Sequence, residues 1–134
     1  MEIHGLWDSL NSVARSLPAL IRAEKVQYKA AKVGFDWDDI RGALDKVQEE
    51  LDEVKRAVNG DGDLPEEIGD LLFAAVNVAR FADTDPEGAL NATTEKFIRR
   101  FSYVERVAAA QGKKLEDMTL REMDALWDEG KSRE

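Results

Sequence analysis

Six apolar residues, Ile40, Leu44, Val47, Leu51, Val54 and Val58, step along the chain by 4, 3, 4, 3 and 4. At about 100° per residue this spacing draws a single stripe down a helix, and no β-strand pattern of period two can produce it. Phe97, Phe101, Val104 and Ala108 repeat the helical spacing further on. No segment alternates apolar and polar residues between turn signals, so the chain is expected to be all-α. The three prolines, Pro18, Pro65 and Pro86, follow Ser16, Asp63 and Asp85 closely. Proline fits the first turn of a helix because its missing N–H would be unpaired there, and a Ser or Asp just ahead can cap the freed donors. Asp36 or Asp38 after Gly34 marks another start, and Thr119 with Glu122 forms a T-x-x-E capping box. Helices are therefore predicted over 17–32, 38–59, 65–83, 86–111 and 119–130. The short link Gly60-Asp61-Gly62-Asp63 folds the second and third into an antiparallel hairpin, giving an antiparallel helical bundle of about five helices.

A chain of 134 residues is sized for one domain with one core, and 43% apolar residues suffice to build it. The 28 acids against 19 Lys and Arg give a net charge of −9, a field that repels nucleic acid and anionic membrane surfaces. With no cysteine, disulfides and thiolate metal sites are excluded. The apolar runs fall short of the roughly 18 residues of a membrane span. No signal-peptide pattern opens the sequence, so a cytoplasmic location is expected. Residues 1–15, with the lone His4 and Trp7, read as an arm or linker ahead of a domain over 16–134.

Ten of the 28 acids lie between Asp45 and Asp70. Glu50 and Glu53 share one edge of the second helix beside the apolar stripe, with Lys46 a turn earlier and Glu49 pointing further toward solvent. Glu67 and Asp70 are likewise three apart on the third helix, whose same face continues through Ala74 to Asn77. Across the hairpin the two pairs can meet. Carboxylates brought together repel and raise one another's pKa values, so such a cluster requires a cation, and hard oxygen ligands favour Mg²⁺ or Mn²⁺. The alternative is a solvated acidic face. Against it stands Leu71-Leu72-Phe73-Ala74-Ala75-Val76, apolar on all sides, which makes the third helix central and carries its acids inward. Asn77 is either a satisfied core amide or a ligand contact. Lys96 and Arg100 form a basic edge that either pairs with nearby carboxylates or binds phosphate oxygens, and Trp127 with Lys131 repeats the pairing of aromatic and cation. Phe35 and Trp37 are expected in the core or as staples. There is no P-loop, G-x-G-x-x-G, H-E-x-x-H or nucleophile elbow, which leaves metal-assisted hydrolysis.

These residues carry a resemblance. E-E-L-D-E at 49–53 followed by E-I-G-D at 67–70 resembles the E-E-x-x-E, spacer, E-x-x-D signature of the MazG family of all-α nucleoside triphosphate pyrophosphohydrolases. S-L-P-A-L-I-R-A at 16–23, V-G-F-D-W at 33–37, D-K-V at 45–47, G-D-L-L-F-A-A-V-N at 69–77 and E-K-F-I-R-R-F at 95–101 resemble the C-terminal catalytic half of two-domain MazG, in order, over about 16–131. The preceding half has no counterpart, so the sequence is either an excised domain or a single-domain form. The resemblance implies cleavage between the α and β phosphates to a nucleoside monophosphate and pyrophosphate, with Glu50, Glu53, Glu67 and Asp70 as Mg²⁺ ligands. It places Lys96, Arg100, Trp127 and Lys131 on the nucleotide, with Lys46 assisting. It further implies a homodimer whose hairpins complete each other's bundle.

The mechanism expected is metal-activated water attacking the α phosphorus, with a cage carboxylate as base; Glu53 is the first candidate, ahead of Glu50 and Glu49. Stacking on Trp127 with Asn77 as the lone amide implies a broad base range. Two other readings remain: a narrow relative acting on deoxyuridine triphosphate or phosphoribosyl-ATP, and a non-catalytic helical dimerisation module.

Overall fold

The computed structural model describes residues 10–134, in which five α-helices and no strand occur: α1 (Ala19–Lys32), α2 (Ile40–Val58), α3 (Leu64–Phe81), α4 (Pro86–Ala110) and α5 (Leu120–Ser132). A 3₁₀ turn, Leu115–Asp117, precedes α5. The all-α expectation holds, with helix ends within two residues of those predicted. His4 and Trp7 lie outside the described residues. No described helix is long and apolar enough to cross a membrane.

The helix starts follow side-chain chemistry, with two corrections. Asp63 accepts from the Glu66 N–H at 3.4 Å with Pro65 in the first turn, and Asp85 accepts from the Glu87 N–H at 3.1 Å. Thr119 and Glu122 close the full capping box. The cap of α2, however, is Asp39, which accepts from the Arg41 N–H at 2.8 Å. Asp36 is engaged elsewhere. At α1 the N-cap is Pro18 with no side-chain bond, so Ser16 does not cap. The ends of α1 and α2 need backbone that only glycine enters freely: Gly34 and Gly60 sit at φ +94° and +91°. In both, two reversed hydrogen bonds satisfy the last carbonyls, Gly34 to Ala31 and Phe35 to Ala30, then Gly60 to Ala57 and Asp61 to Arg56.

Two compact units divide the chain, one ending at Ala89 and one spanning Leu90–Glu134. In the first, α3 packs against α2 and, less extensively, against α1. The face of α2 that is buried there is not the predicted stripe. Ala43, Glu50 and Ala57, seven residues apart, are its buried positions, whereas Leu44, Leu51 and Val58 are exposed. On α3 the buried residues are Ala74, Val76 and Asn77, while Ile68, Leu72 and Phe73 remain exposed. The expectation of a central helix covered on every side is thus not met within one chain. Phe35, expected in the core, is 82% exposed. Trp37 lies against Gly42, where any Cβ would stand 2.5 Å from the ring.

In the second unit Val104 and Ala108 of the α4 stripe are buried, Phe101 is half-buried and Phe97 is exposed. Phe97 contacts the Trp127 ring at 5.1 Å between centroids and stacks on Phe101 at 6.2 Å. The close approach of α5 depends on Gly130, whose added Cβ would lie 2.6 Å from the Tyr103 ring, and the Tyr103 hydroxyl donates to Glu129. Alanine ordinarily stabilises a helix relative to glycine by about 1 kcal/mol. Here the sign should reverse: Gly130→Ala is expected to lower stability by about 1–3 kcal/mol through overpacking. Thermal or urea unfolding checks this, and a stabilised variant would show that the two helices do not need this contact.

Candidate functional site

The seam between α2 and α3 is lined by small residues, and one charged residue is set into it. Ala43 and Ala57 let the helices approach, and Glu50 between them is only 7% exposed. Glu67 and Asp70 on α3 face it, Glu67 half-buried and Asp70 exposed rather than carried inward as expected, and one carboxylate oxygen from each of Glu50, Glu67 and Asp70 lies within 4.8 Å of the other two. Three carboxylates so placed could hold a metal ion, and their all-oxygen chemistry suits a hard divalent cation. Their crowding is visible in Glu67. Loss of surrounding water, followed by the charges of Glu53, Asp70 and Glu50, holds its carboxyl above the usual range.

One cation partly compensates. Lys46 Nζ lies 3.1 Å from both Glu49 and Glu50, and these bonds, Glu50 first, hold its ammonium pKa above the ordinary value. Lys46 and Glu49 are therefore engaged with each other at the rim. Of the four acids singled out in the sequence, the structure brings three together. Glu53 lies outside the trio, paired with Arg56, though close enough to contribute to the shift of Glu67.

Asn77 is 7% exposed, and its Oδ1 accepts from Arg80 Nη2 at 2.8 Å and Nε at 3.3 Å. Arg80 in turn grips Asp36 through two bonds of 2.9 and 2.7 Å, which hold the Asp36 carboxyl below the usual carboxylate range. Sequence reasoning missed Arg80. Its only signal was a position three residues beyond Asn77 on the same helix. Gln27, also missed, is buried in α1 and donates to the Phe73 carbonyl at 2.9 Å, tying α1 to α3.

In the second unit Arg100 is a mostly buried guanidinium, bonded to Glu134 at 3.0 and 3.1 Å and lying 5.9 Å from the centre of the Trp127 ring. Arg100 and Trp127 thus form one cluster with Phe97. Lys96 is half-buried and Lys131 exposed, and neither forms a salt bridge among the described residues.

Residues 40–105, which include all three clustered acids, match the MazG nucleotide pyrophosphohydrolase domain. The chain is 47% identical over 130 residues to the nucleoside triphosphate pyrophosphohydrolase of Escherichia coli K12, covering 94% of this chain and 49% of that protein. It is 43% identical over 115 residues to the nucleoside triphosphate pyrophosphohydrolase/pyrophosphatase MazG of Thermotoga maritima, covering 86% and 45%. A third relative, the uncharacterized protein YabN of Bacillus subtilis, is 55% identical over 71 residues, covering 53% of this chain and 14% of that protein. The chain spans about half the length of the first two relatives. With the domain match falling on the acid-bearing hairpin and the identity extending over nearly the whole chain, this protein belongs to the MazG family.

Proposed function

We propose that the chain is a Mg²⁺-dependent nucleoside triphosphate pyrophosphohydrolase that converts a nucleoside triphosphate and water to a nucleoside monophosphate and pyrophosphate. The observation that carries this reading is the Glu50, Glu67 and Asp70 trio, with oxygens within 4.8 Å, on the hairpin that matches the family domain. These residues would hold Mg²⁺ or Mn²⁺, with Glu53 a further ligand or the base. Bound there, the ion supplies neutralising charge for phosphate oxygens and makes water more acidic. Glu53 is the base in this reading because Glu50 belongs to the trio and the charge of Glu53, unlike that of Glu49, is felt at Glu67; its pairing with Arg56 opens when it acts. It takes a proton from water as the water oxygen bonds to the α phosphorus; the α–β bridging P–O bond breaks and pyrophosphate leaves with that electron pair. Lys96, Arg100 and Lys131 are assigned to phosphate oxygens, Trp127 to the base, and Asn77 to the nucleoside. Stacking tolerates every base, so several purine and pyrimidine triphosphates should serve, with rates within about tenfold of one another. The substrate pool implies a cytoplasmic setting.

The direct test is pyrophosphate release from a panel of nucleoside triphosphates with and without Mg²⁺. Release that requires the ion and spans several bases is expected. No release from any of them, or one nucleotide favoured more than a thousandfold, would contradict the reading.

The crowded trio makes a second, independent prediction. Because the folded-state pKa of Glu67 is raised, its ionised form opposes folding at neutral pH, and this penalty fades as pH falls through that pKa and the carboxyl protonates. Glu67→Gln should therefore melt at a higher temperature than wild type at pH 7 without divalent cation. The advantage should shrink at about pH 4, near the ordinary Glu value. Mg²⁺ should raise the melting temperature of wild type and not of the variant.

A homodimer is part of the proposal. Leu44, Leu51 and Val58 on α2, with Ile68 and Leu72 on α3, are large apolar side chains left exposed on the hairpin. A second copy would bury them in a symmetric interface. Light scattering should give about twice 15.0 kDa, and Leu51→Glu should lower that mass. A monomeric wild type would defeat the claim.

A further inference from the structure

The Asp36, Arg80 and Asn77 chain has a free end. A guanidinium only donates hydrogen bonds, so the Asn77 amide must turn its oxygen to Arg80, as the 2.8 and 3.3 Å contacts require. The amide cannot flip without setting donor against donor. Arg80 cannot swing away, because Asp36 in the turn before α2 holds it at two points. The Asn77 Nδ2 is thereby fixed, and it donates to no atom among the described residues. It is also not fully enclosed, since among the described residues the fully enclosed side-chain polar atoms without a partner are Arg22 Nε and Gln27 Oε1. A network serving only to tie the Asp36 turn to α3 would be complete with Asp36 and Arg80. The leftover donor, on a residue 7% exposed, is what such a network does not need.

Where that donor lies follows from helix geometry. Asn77 is seven residues from Asp70, almost two full turns, so it shares the face of the metal-ligating acid about 10 Å further along the axis, with the small Ala74 between. That distance is beyond a phosphate held at the trio and within reach of the nucleoside attached to it. We propose that Asp36 and Arg80 are positioning residues that fix Asn77 as a dedicated donor to an acceptor atom on the nucleoside part of the substrate. The inference rests on the nucleotide reading above and adds to it that Asn77 recognises acceptors only, on the sugar or on the base.

The test is a mutant set read by KM and kcat, and by the Kd of an α,β-methylene nucleoside triphosphate with Mg²⁺. Asn77→Asp is the most informative variant, because a carboxylate still accepts from Arg80 but has nothing to donate. It should raise KM and Kd at least as much as Asn77→Ala, by about three- to tenfold for one lost hydrogen bond, with the loss in KM rather than kcat. Arg80→Ala should cost a similar factor, and the double variant Arg80→Ala, Asn77→Ala no more than the larger single loss. Asp36→Asn gives a milder version should Arg80→Ala fail to fold, which thermal melting reports. Comparing 3′-deoxy and unmodified substrates separates the sources: a penalty that vanishes with the 3′-deoxy compound assigns the acceptor to the sugar, and one that persists assigns it elsewhere on the nucleoside. An unchanged Kd for Asn77→Asp, or multiplicative losses in the double variant, would overturn the inference. If wild type binds the analogue but releases no pyrophosphate, the enzymatic reading fails while the Kd series still decides this one. A wild type that binds no nucleotide overturns both.

Discussion

Like-charge crowding in the seam between α2 and α3 is the interaction on which the rest depends. Helices that meet through Ala43, Ala57 and Ala74 come close, and whatever is set between them loses water. Glu50 is set there, and Glu67 and Asp70 arrive from the other side. Taking the Glu50 carboxylate out of water is costly, and bringing the half-buried Glu67 and the exposed Asp70 within 4.8 Å of it adds to the cost. Lys46 returns one positive charge for three negative ones. An arrangement that is costly without a counterion is what makes the trio a candidate cation site.

The hairpin turn makes the crowding unavoidable. The left-handed Gly60 ends α2, Asp63 caps α3 three residues later, and Pro65 fixes the first turn. A link this short sets the register, so Glu50 faces Glu67 and Asp70 rather than solvent. At its far end α3 carries Asn77 and Arg80, tied to the Asp36 turn. Acids lead this helix and the Asn77 amide follows two turns later on the same face. With a cation at the acids, that order suits the ligand proposed above, anionic at one end and polar but uncharged at the other.

Local signals made much of this legible in the sequence. Proline and Asp spacing gave the helix starts, because capping depends on only a few neighbouring residues. The acids were found because their three-residue spacing places them on one face whatever packs against it. The stripe on α2 marks the helix but not its buried face, since periodicity shows which residues share a face and not which partner covers it. Leu44, Leu51 and Val58 line up as expected, yet the face buried within the chain is the adjacent line of Ala43, Glu50 and Ala57. A charged residue flanked by alanines carries little apolar signal, although small residues seven apart are what a close helix seam needs. Spacing and the E-E-x-x-E resemblance group Glu53 with the other acids, and its pairing with Arg56 is a rotamer choice that periodicity cannot see. Arg80 was missed because its partner Asp36 is 44 residues away, and the same Asp36 looked like an ordinary cap.

The central claim is that the trio is a cation site, and direct metal binding tests it most simply. Titration calorimetry with Mn²⁺ at neutral pH should show saturable binding to wild type. Glu50→Gln, which removes the buried member while leaving the seam intact, should abolish it. Wild-type protein that takes up no ion at millimolar Mn²⁺, or a Glu50→Gln variant that binds as well as wild type, would contradict the account.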